Sequence, residues 1–296
     1  MRFWCLCLLF CSGLLGCWRS SEAVPTRHPG LRPSYAWLSA SRTNRYEPLS
    51  RRFAPPRGYK RVALKSRGFG FWLRHLPLEA KGTPVKLHNG RLRSTQSSHA
   101  AVVHLDIGRG NLQQCADAVM RLWTEYLWVT RQRSRIGFRF TSGHWYPWTA
   151  WRRGFRPRIV RGRMKGWRRG KRRPRSYRSY RRYLRTIMMY AGTWSLTKEL
   201  PRVSHSRLQP GDVLLQGGFP GHAVLILDKA VNRRGKAVYL LGQSYMPAQS
   251  FHVLRGKGSS PWRTLPSRGR VLTPDWTFPK STYYRLPPRK GRFTGR

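Results

Sequence analysis

Apolar residues recur at three- and four-residue spacing in one stretch of the chain, on a face made of Ala116, Val119, Met120, Trp123 and Leu127. This spacing predicts an amphipathic helix whose apolar face packs on a core. We expect Asn111 to be its N-cap and Gln114 to complete a capping box. Cys115 then falls in or just past the first turn, where free N–H groups and the helix dipole lower the pKa of a thiol.

A second helix and a series of short strands follow from the same kind of pattern. Residues 176–191 carry apolar side chains at helical spacing, with arginines on the opposite face. Short apolar stretches bounded by turn residues predict strands at 213–216, 222–228, 237–243 and 251–254, with an earlier one at 100–107. Short turns at 217–218 and 232–235 connect the later strands, so the sequence predicts an antiparallel sheet and an α+β fold.

The N-terminus has the pattern of an export signal. An apolar run covers 3–15, too short for the roughly 20 residues that span a bilayer, and it ends in Leu14-Leu15-Gly16-Cys17. This ending resembles a bacterial lipobox, which predicts a signal peptide over 1–16 and lipid attachment at Cys17. The alternative is an ordinary signal peptide that is cleaved near the same place. Either way we expect an exported protein, and the first interpretation anchors it to the bacterial cell envelope through lipid.

The rest of the chain divides by composition. Residues 17–52 are rich in Ser, Pro and Arg without periodicity, which predicts a flexible basic tether. We expect a single α+β domain over 53–286, with an Arg- and Trp-rich segment at 129–176, and a basic tail at 287–296. After removal of the signal peptide, Cys115 is the only cysteine left to carry a free thiol, so no intramolecular disulfide is expected.

The charge of the chain points to acidic partners. Lys and Arg number 59 against 10 Asp and Glu, a formal net charge of +49, which attracts anionic cell-envelope polymers or membrane surfaces. So few acids argue against carboxylate cages for Ca²⁺ or Mg²⁺ and against paired-carboxylate glycosidases. We expect no metal, no cofactor and no sequence-specific binding of nucleic acid.

The Arg- and Trp-rich segment is the first candidate for an anion-binding surface, because arginine forks onto phosphate and tryptophan stacks on rings. The candidate residues are Arg152, Arg153, Arg168, Arg169, Arg172 and Arg173. The competing explanation is a general arginine bias, since arginine is frequent along the whole chain.

Candidate chemistry centres on Cys115 and on His222, which opens a predicted strand. A thiol hydrolase needs a thiolate, an imidazole and a third polar residue that orients the ring. Pairing through the 232–235 turn puts His222 opposite Gln243, the candidate orienter, with Ser244 or Tyr245 as the result of a slip in register. The alternative is that Cys115 is a buried small hydrophobe and His222 a hydrogen-bonded core residue.

An oxyanion would be stabilised next to the thiol. Gln114 or Gln113 could donate to it from a side-chain amide, together with the backbone N–H of Cys115.

The order of these features resembles the NlpC-type cell-wall peptidases, papain-like α+β enzymes that cut peptidoglycan peptides. The order is a cysteine at a helix start, Pro-Gly-Asp before a strand, and Gly-His at the opening of the next strand. The resemblance implies a helix packed on an antiparallel sheet. Gln243 stands where those enzymes often have His, and the Arg-rich segment would be an insertion.

Longer strings are similar to a bacterial family of unknown activity, the domain of unknown function 4846. The strings are FGFWLRHLPL at 69–78, LQQCADAVMRL at 112–122, YAGT at 190–193, GDV at 211–213, GGFPGHAV at 217–224, QSYMPAQ at 243–249 and TPDW at 273–276. The resemblance covers about 51–286. It implies an exported, often lipid-anchored protein with one domain, and no known reaction.

Two hypotheses of function follow. The first is a cysteine hydrolase, an amidase or peptidase, that acts on cell-wall material through Cys115, His222 and Gln243. The second is a non-catalytic envelope protein that holds anionic glycan or lipid on a basic, aromatic surface, with Cys115 merely packed.

Overall fold

The structure of the chain is a computed structural model that describes Met1 and residues 33–38, 45–256, 258, 260–288 and 290–295. Cys17 and nearly all of the predicted signal peptide lie outside the described residues. Within the described residues, no helix has the length and apolar character needed to cross a bilayer.

The described chain contains both helices and strands, and the strands pair antiparallel, which confirms the α+β class. The helices are α1 (Leu49–Arg52), α2 (Phe69–Arg74), α3 (Cys115–Val129), α4 (Trp148–Arg152), α5 (Tyr177–Tyr190) and α6 (Thr193–Glu199). The strands are β1 (Glu47–Pro48), β2 (Tyr59–Arg61), β3 (Pro77–Leu78), β4 (His99–Val102), β5 (Gly137–Arg139), β6 (Trp145–Pro147), β7 (Phe155–Val160), β8 (Arg163–Arg169), β9 (Arg202–Val203), β10 (Asp212–Gln216), β11 (His222–Asn232), β12 (Ala237–Gln243), β13 (His252–Leu254), β14 (Val271–Leu272), β15 (Thr277–Phe278) and β16 (Tyr283–Arg285).

One eight-stranded sheet dominates the fold. Its order is β4-β13-β12-β11-β10-β16-β9, and β2 pairs with the far end of β11. Side chains of β11 alternate between two apolar clusters, with Leu225 and Leu227 on the face that carries α3, and Val224 and Ile226 on the other. Because both faces are covered, β11 is apolar over most of its length instead of alternating with polar residues.

The predicted register between β11 and β12 is wrong. Leu225 pairs with Gly242, and a β-bulge lies between Ile226 and Asp228. Continued toward the start of β11, this register brings Val224, not His222, opposite Gln243. The error is two residues, so the side-chain parity is kept and His222 and Gln243 still share one face.

Helix α3 begins at Cys115 with Gln114 as its N-cap, so the predicted N-cap Asn111 is wrong. The Asn111 Oδ1 accepts instead from the Ala248 N–H at 2.7 Å and from the Gln114 side-chain amide at 3.1 Å. The Asp117 carboxylate accepts from the Gln114 N–H at 3.0 Å and closes the N-terminal turn.

Some residues of the predicted tether and of the predicted basic tail pack on the domain. Tyr35 and Leu49, both inside 17–52, are buried in the main core, and the Tyr35 hydroxyl donates to the Trp72 carbonyl at 3.0 Å. Near the C-terminus, the Phe293 ring packs against Phe155 and Trp167. Aromatic and aliphatic side chains in otherwise polar segments therefore anchor the described parts of these two segments to the domain.

The centre of the sheet is tied to its neighbours by a buried ion-pair network. Asp228, which is fully buried on β11, bonds Arg61 on β2 at 2.6 Å and Arg74 on α2 at 2.8 Å. Solvent has little access to these two guanidinium groups, so the Asp228 carboxylate is the group that balances their charge.

We predict that Asp228→Ala lowers the free energy of unfolding by about 3–5 kcal/mol, because it leaves two largely buried arginines unpaired. The matched control is Glu47→Ala, since the Glu47 carboxylate is partly exposed and pairs with a single arginine, Arg52. That variant should lose no more than about 1 kcal/mol. Urea denaturation measures both, and equal losses would contradict a special role for Asp228.

Candidate active site

Cys115 borders an open cleft of ≈ 480 Å³. The cleft lies between the start of α3, the 217–221 loop before β11, the segment that joins α5 to α6, and the tip of the β7–β8 hairpin. Cys115 is the first residue of α3 and is 4% exposed. Its side chain therefore sits where the edge of the core meets the cleft wall.

Burial raises the pKa of the Cys115 thiol to about 11, which is opposite to the lowering expected from the helix start. The backbone N–H groups of Ala223, Ala116 and Cys115 itself act to lower the pKa, and the Asp117 carboxylate raises it further. Loss of water around the sulfur thus outweighs the amides at the helix N-terminus. The thiol is protonated in this state.

The opening of β11 depends on a glycine. A Cβ on Gly221 would lie 2.3 Å from the Thr193 hydroxyl and 2.7 Å from the Gln216 carbonyl. Only a residue without a side chain lets the chain enter β11 this close to the start of α6, and His222 follows directly.

His222 is fully buried among aromatic rings. Its ring centroid lies 5.0 Å from Tyr245, 5.2 Å from Trp276 and 5.7 Å from Phe278. This burial lowers the pKa of His222 to about 4, although the contact with Gln243 opposes the shift. The imidazole is therefore neutral at physiological pH and is available as a base.

His222 Nε2 lies 2.7 Å from Gln243 Oε1, and the Gln243 side-chain amide donates to Asp275 Oδ2 at 2.7 Å. Asp275 in turn pairs with Arg93 at 2.5 Å. Although burial favours the neutral acid, the His252 ring and the Arg93 guanidinium lower the pKa of Asp275 to about 2. Asp275 is therefore an ionised carboxylate that only accepts hydrogen bonds.

These contacts fix the tautomer of His222. Because Asp275 only accepts, the nitrogen of the Gln243 amide faces it, and the amide oxygen faces His222. His222 Nε2 must then carry the proton, which leaves Nδ1 as the unprotonated nitrogen. Nδ1 is buried and has no hydrogen-bond partner among the described residues.

The structure brings Cys115 close to the His222 backbone without joining the two side chains. The Ala223 N–H faces the sulfur, so Cys115 lies beside the residue that follows His222. Strand alternation puts the His222 side chain on the face of Val224 and Ile226, while Cys115 packs in the cluster of the other face. Among the described residues no hydrogen bond connects the sulfur to the imidazole.

The two candidate oxyanion donors have different environments. Gln114 borders the cleft, and its side-chain amide donates to Asn111. Gln113 is buried, where its oxygen accepts from Arg121 at 2.5 Å and its amide donates to the Asp106 carbonyl. Gln113 therefore stabilises the core, and Gln114 is the donor that can turn toward the cleft.

Sequence reasoning missed Asp275, Arg93 and the aromatic rings around His222. Asp275 lies in the TPDW string at 273–276, which the sequence links to a family but not to a chemical role. A usable signal was present, because an acidic residue is rare in this chain and each one is a candidate anchor for a guanidinium.

The Arg- and Trp-rich segment folds differently from a stacking platform. Trp145, Trp148 and Trp151 are buried, so the expected stacking on bases or sugars is wrong for these three residues. The guanidinium of Arg156 instead lies over the Trp151 ring at 3.5 Å. Of the six candidate anion-binding arginines, Arg152 is half-buried, and the exposed ones are Arg153, Arg168, Arg169, Arg172 and Arg173.

The described residues contain no group of three or more His, Cys, Asp or Glu side chains able to hold a metal ion. The Nδ1 atom of His104 lies 2.6 Å from Oε1 of Glu79, so this histidine is part of a pair and not of a larger cluster among the described residues.

Taken together, the geometry defines an α+β protein with a cysteine at a helix N-terminus beside a cleft and a histidine oriented by a buried amide. The family model of a domain of unknown function (4846) matches residues 49–285, and the chain belongs to this family. No curated protein and no solved structure matches the chain.

We predict that iodoacetamide labels Cys115 slowly at neutral pH and faster as pH rises toward about 11, because only the thiolate reacts. Asp117→Asn should shift the rise to lower pH, since it removes a negative charge near the sulfur and keeps an oxygen for the Gln114 N–H. A pKa lowered by one unit gives a roughly tenfold faster rate at a fixed pH below it. Mass spectrometry of the Cys115 peptide measures the rate, and a rate already maximal at pH 7 would contradict the raised pKa.

Proposed function

We propose that this protein is a cysteine hydrolase of the bacterial cell envelope that cuts an amide or peptide bond in cell-wall material. In this proposal Cys115 is the nucleophile, His222 the general base and Gln243 the residue that orients the imidazole. The carrying observation is the His222 Nδ1 lone pair, which is buried, unpartnered and fixed in its tautomer by Gln243 and Asp275. A helix-start cysteine beside the opening of the strand that carries the histidine also supports a papain-like reaction, once the two side chains are brought into contact.

The protonation states support a general-base reaction and not a preformed ion pair. With the pKa of Cys115 at about 11 and that of His222 at about 4, the resting pair is a thiol and a neutral imidazole. The Sγ–H proton moves to Nδ1 as sulfur attacks the carbonyl carbon. Nδ1 then gives the proton to the leaving nitrogen, so the C–N bond breaks and a thioester remains on Cys115.

Hydrolysis of the thioester uses the same groups. Nδ1 accepts a proton from water, the hydroxide attacks the acyl carbon, and the C–S bond breaks to return the thiol and release a carboxylic acid. The tetrahedral oxyanion of each step accepts from the backbone N–H of Cys115 and from the Gln114 amide once that amide leaves Asn111. Because the sulfur and the imidazole lie on opposite faces of β11, the reaction requires a rearrangement at the start of β11 that brings the sulfur and Nδ1 into contact.

Export and anchoring are part of the same proposal. The apolar run at 3–15 followed by Cys17 supports transport out of the cytoplasm and lipid attachment. A single thiol with no disulfide partner in the mature chain is compatible with a catalytic cysteine in an oxidising compartment.

We predict that the purified protein releases new amino groups from peptidoglycan fragments, and that Cys115→Ala abolishes the release. His222→Ala should lower the rate about 10²–10⁴-fold, because it removes the proton acceptor. Gln243→Ala should lower it by a smaller factor, since the imidazole remains but loses its orientation. Mass spectrometry of the products measures these rates.

The control for that experiment is His205→Ala. His205 Nε2 contacts the Leu265 carbonyl at 2.8 Å, away from the cleft, and its loss should leave the rate unchanged. Folded variants with equal activity in Cys115→Ala and in the unaltered chain would refute the hydrolase.

A second candidate function is the binding of an anionic envelope polymer by the β7–β8 region. The observation that favours it is a set of buried guanidinium nitrogens without hydrogen-bond partners among the described residues, namely Nε and Nη1 of Arg152 and Nη2 of Arg156. Burial lowers the pKa of the Arg152 guanidinium, and the positive charges of Arg175 and Arg172 lower it further. An anion placed among these groups would satisfy the free donors and offset their mutual repulsion.

We predict that affinity for a lipoteichoic acid or lipopolysaccharide preparation falls steeply with salt, because each contacted phosphate releases counterions. Arg172→Gln with Arg173→Gln should reduce the logarithmic salt slope by roughly two. The matched control is Arg233→Gln with Arg234→Gln, which removes the same charge from an exposed turn elsewhere. Equal effects of the two double variants would assign the binding to net charge alone.

A further inference from the structure

The cleft beside Cys115 differs in chemistry from the rest of the protein surface. The chain carries 59 Lys and Arg residues, but none of those that the structure describes lines the cleft, and Asp117 is the one charged residue among the described lining residues. The basic surface that favours anions therefore stops at the cleft walls. A group that enters the cleft meets a carboxylate and no guanidinium or ammonium.

Asp117 is available for an additional contact. It is 6% exposed, and its Oδ2 accepts from the Gln114 N–H, while its Oδ1 has no hydrogen-bond partner among the described residues. Other buried carboxylates of the sheet, Asp212 and Asp228, are paired with arginines. Burial without a basic partner raises the pKa of Asp117 to about 8, so the carboxyl group is mostly protonated at pH 7. An ammonium group beside it would favour the ionised form and would supply a charge-assisted hydrogen bond to the unsatisfied oxygen.

The remaining walls of the cleft are apolar and adaptable. Four of the six methionines of the chain line it: Met164, Met188, Met189 and Met246. Met189 and Phe219 are also among the large apolar side chains that solvent reaches, at 55% and 87% exposed. Unbranched thioether side chains repack around flexible aliphatic ligands, and exposed apolar side chains at a cleft mark a ligand-binding surface.

We propose that this cleft binds an aliphatic chain that carries a primary ammonium group, with the ammonium paired to Asp117 and the hydrocarbon against the methionines. This assigns a substrate chemistry to the site of the proposed hydrolase and rests on that proposal only for the reaction that follows binding. The ligand is cationic although the protein is strongly cationic. Local pairing with Asp117 must therefore exceed the long-range repulsion, which salt screens.

The test compares three probes of equal chain length: octylammonium, octanol and octanoate. Isothermal titration calorimetry with the full chain near 0.15 M salt measures each dissociation constant at about pH 9, where Asp117 is ionised and octylammonium still carries its charge. Octylammonium should bind about tenfold more tightly than octanol, the ratio that one charge-assisted hydrogen bond supplies. Octanoate should bind most weakly, although the positive net charge of the protein attracts anions. Higher salt should strengthen the binding of octylammonium or leave it unchanged.

Asp117→Asn separates the carboxylate from the fold, because asparagine keeps an oxygen that can accept from the Gln114 N–H. This variant should bind octylammonium about as weakly as octanol and leave octanol affinity unaltered. Glu47→Gln is the control with the same change of charge outside the cleft, and Met189→Gln should weaken octylammonium and octanol together. Thermal unfolding checks that each variant is folded.

Two results would overturn the inference: octanoate binding more tightly than octylammonium, or unchanged octylammonium affinity in Asp117→Asn. Neither depends on turnover, so the binding site and the hydrolase can fail separately. If the unaltered protein cleaves peptidoglycan but does not prefer octylammonium, the ligand alone is rejected. If it prefers octylammonium but cleaves nothing, the reaction alone is rejected.

Discussion

The packing of α3 on β11 is the interaction on which the rest of the protein depends. Apolar side chains of α3, such as Val119 and Leu122, meet Leu225 and Leu227 of the central strand in the main core. Burial of each large aliphatic side chain contributes about 1.5–3 kcal/mol, so this contact fixes the helix on the sheet firmly. The start of α3 then lies beside the start of β11, and the core itself brings Cys115 close to the backbone that follows His222.

Much of this arrangement could be predicted from local pattern. The bounds of β12 follow directly from its apolar residues between turn residues, and α5 follows from helical spacing after Ser176, whose side chain accepts from the Ser179 N–H. These elements are set by neighbours in sequence. The contact between His222 and Gln243 could also be predicted, because a two-residue error of register does not change the face of a strand.

Other features could not be predicted because their causes lie far away in the chain. Asn111 fails to cap α3 since its oxygen bonds the Ala248 N–H. The Cys115 thiol has a raised pKa because of burial by residues that no local window contains. Trp145, Trp148 and Trp151 are buried, as Trp148 is against Trp128 and Tyr183. The sequence could not show this, because an aromatic residue with a basic neighbour has the same pattern in a core as on a surface.

The amide of Gln243 has a consequence for the histidine that it holds. A carboxylate in direct contact with an imidazole would stabilise the imidazolium strongly and could share its proton, whereas a neutral amide stabilises the imidazolium less and cannot take the proton. The path from Arg93 through Asp275 to His222 therefore orients the ring through hydrogen bonds and keeps the ion pair one amide away from it. The charge of Asp275 still raises the pKa of His222, but burial lowers that pKa by more. The ionic network thus sets the position of the ring, whereas its burial among aromatic rings mainly sets its basicity.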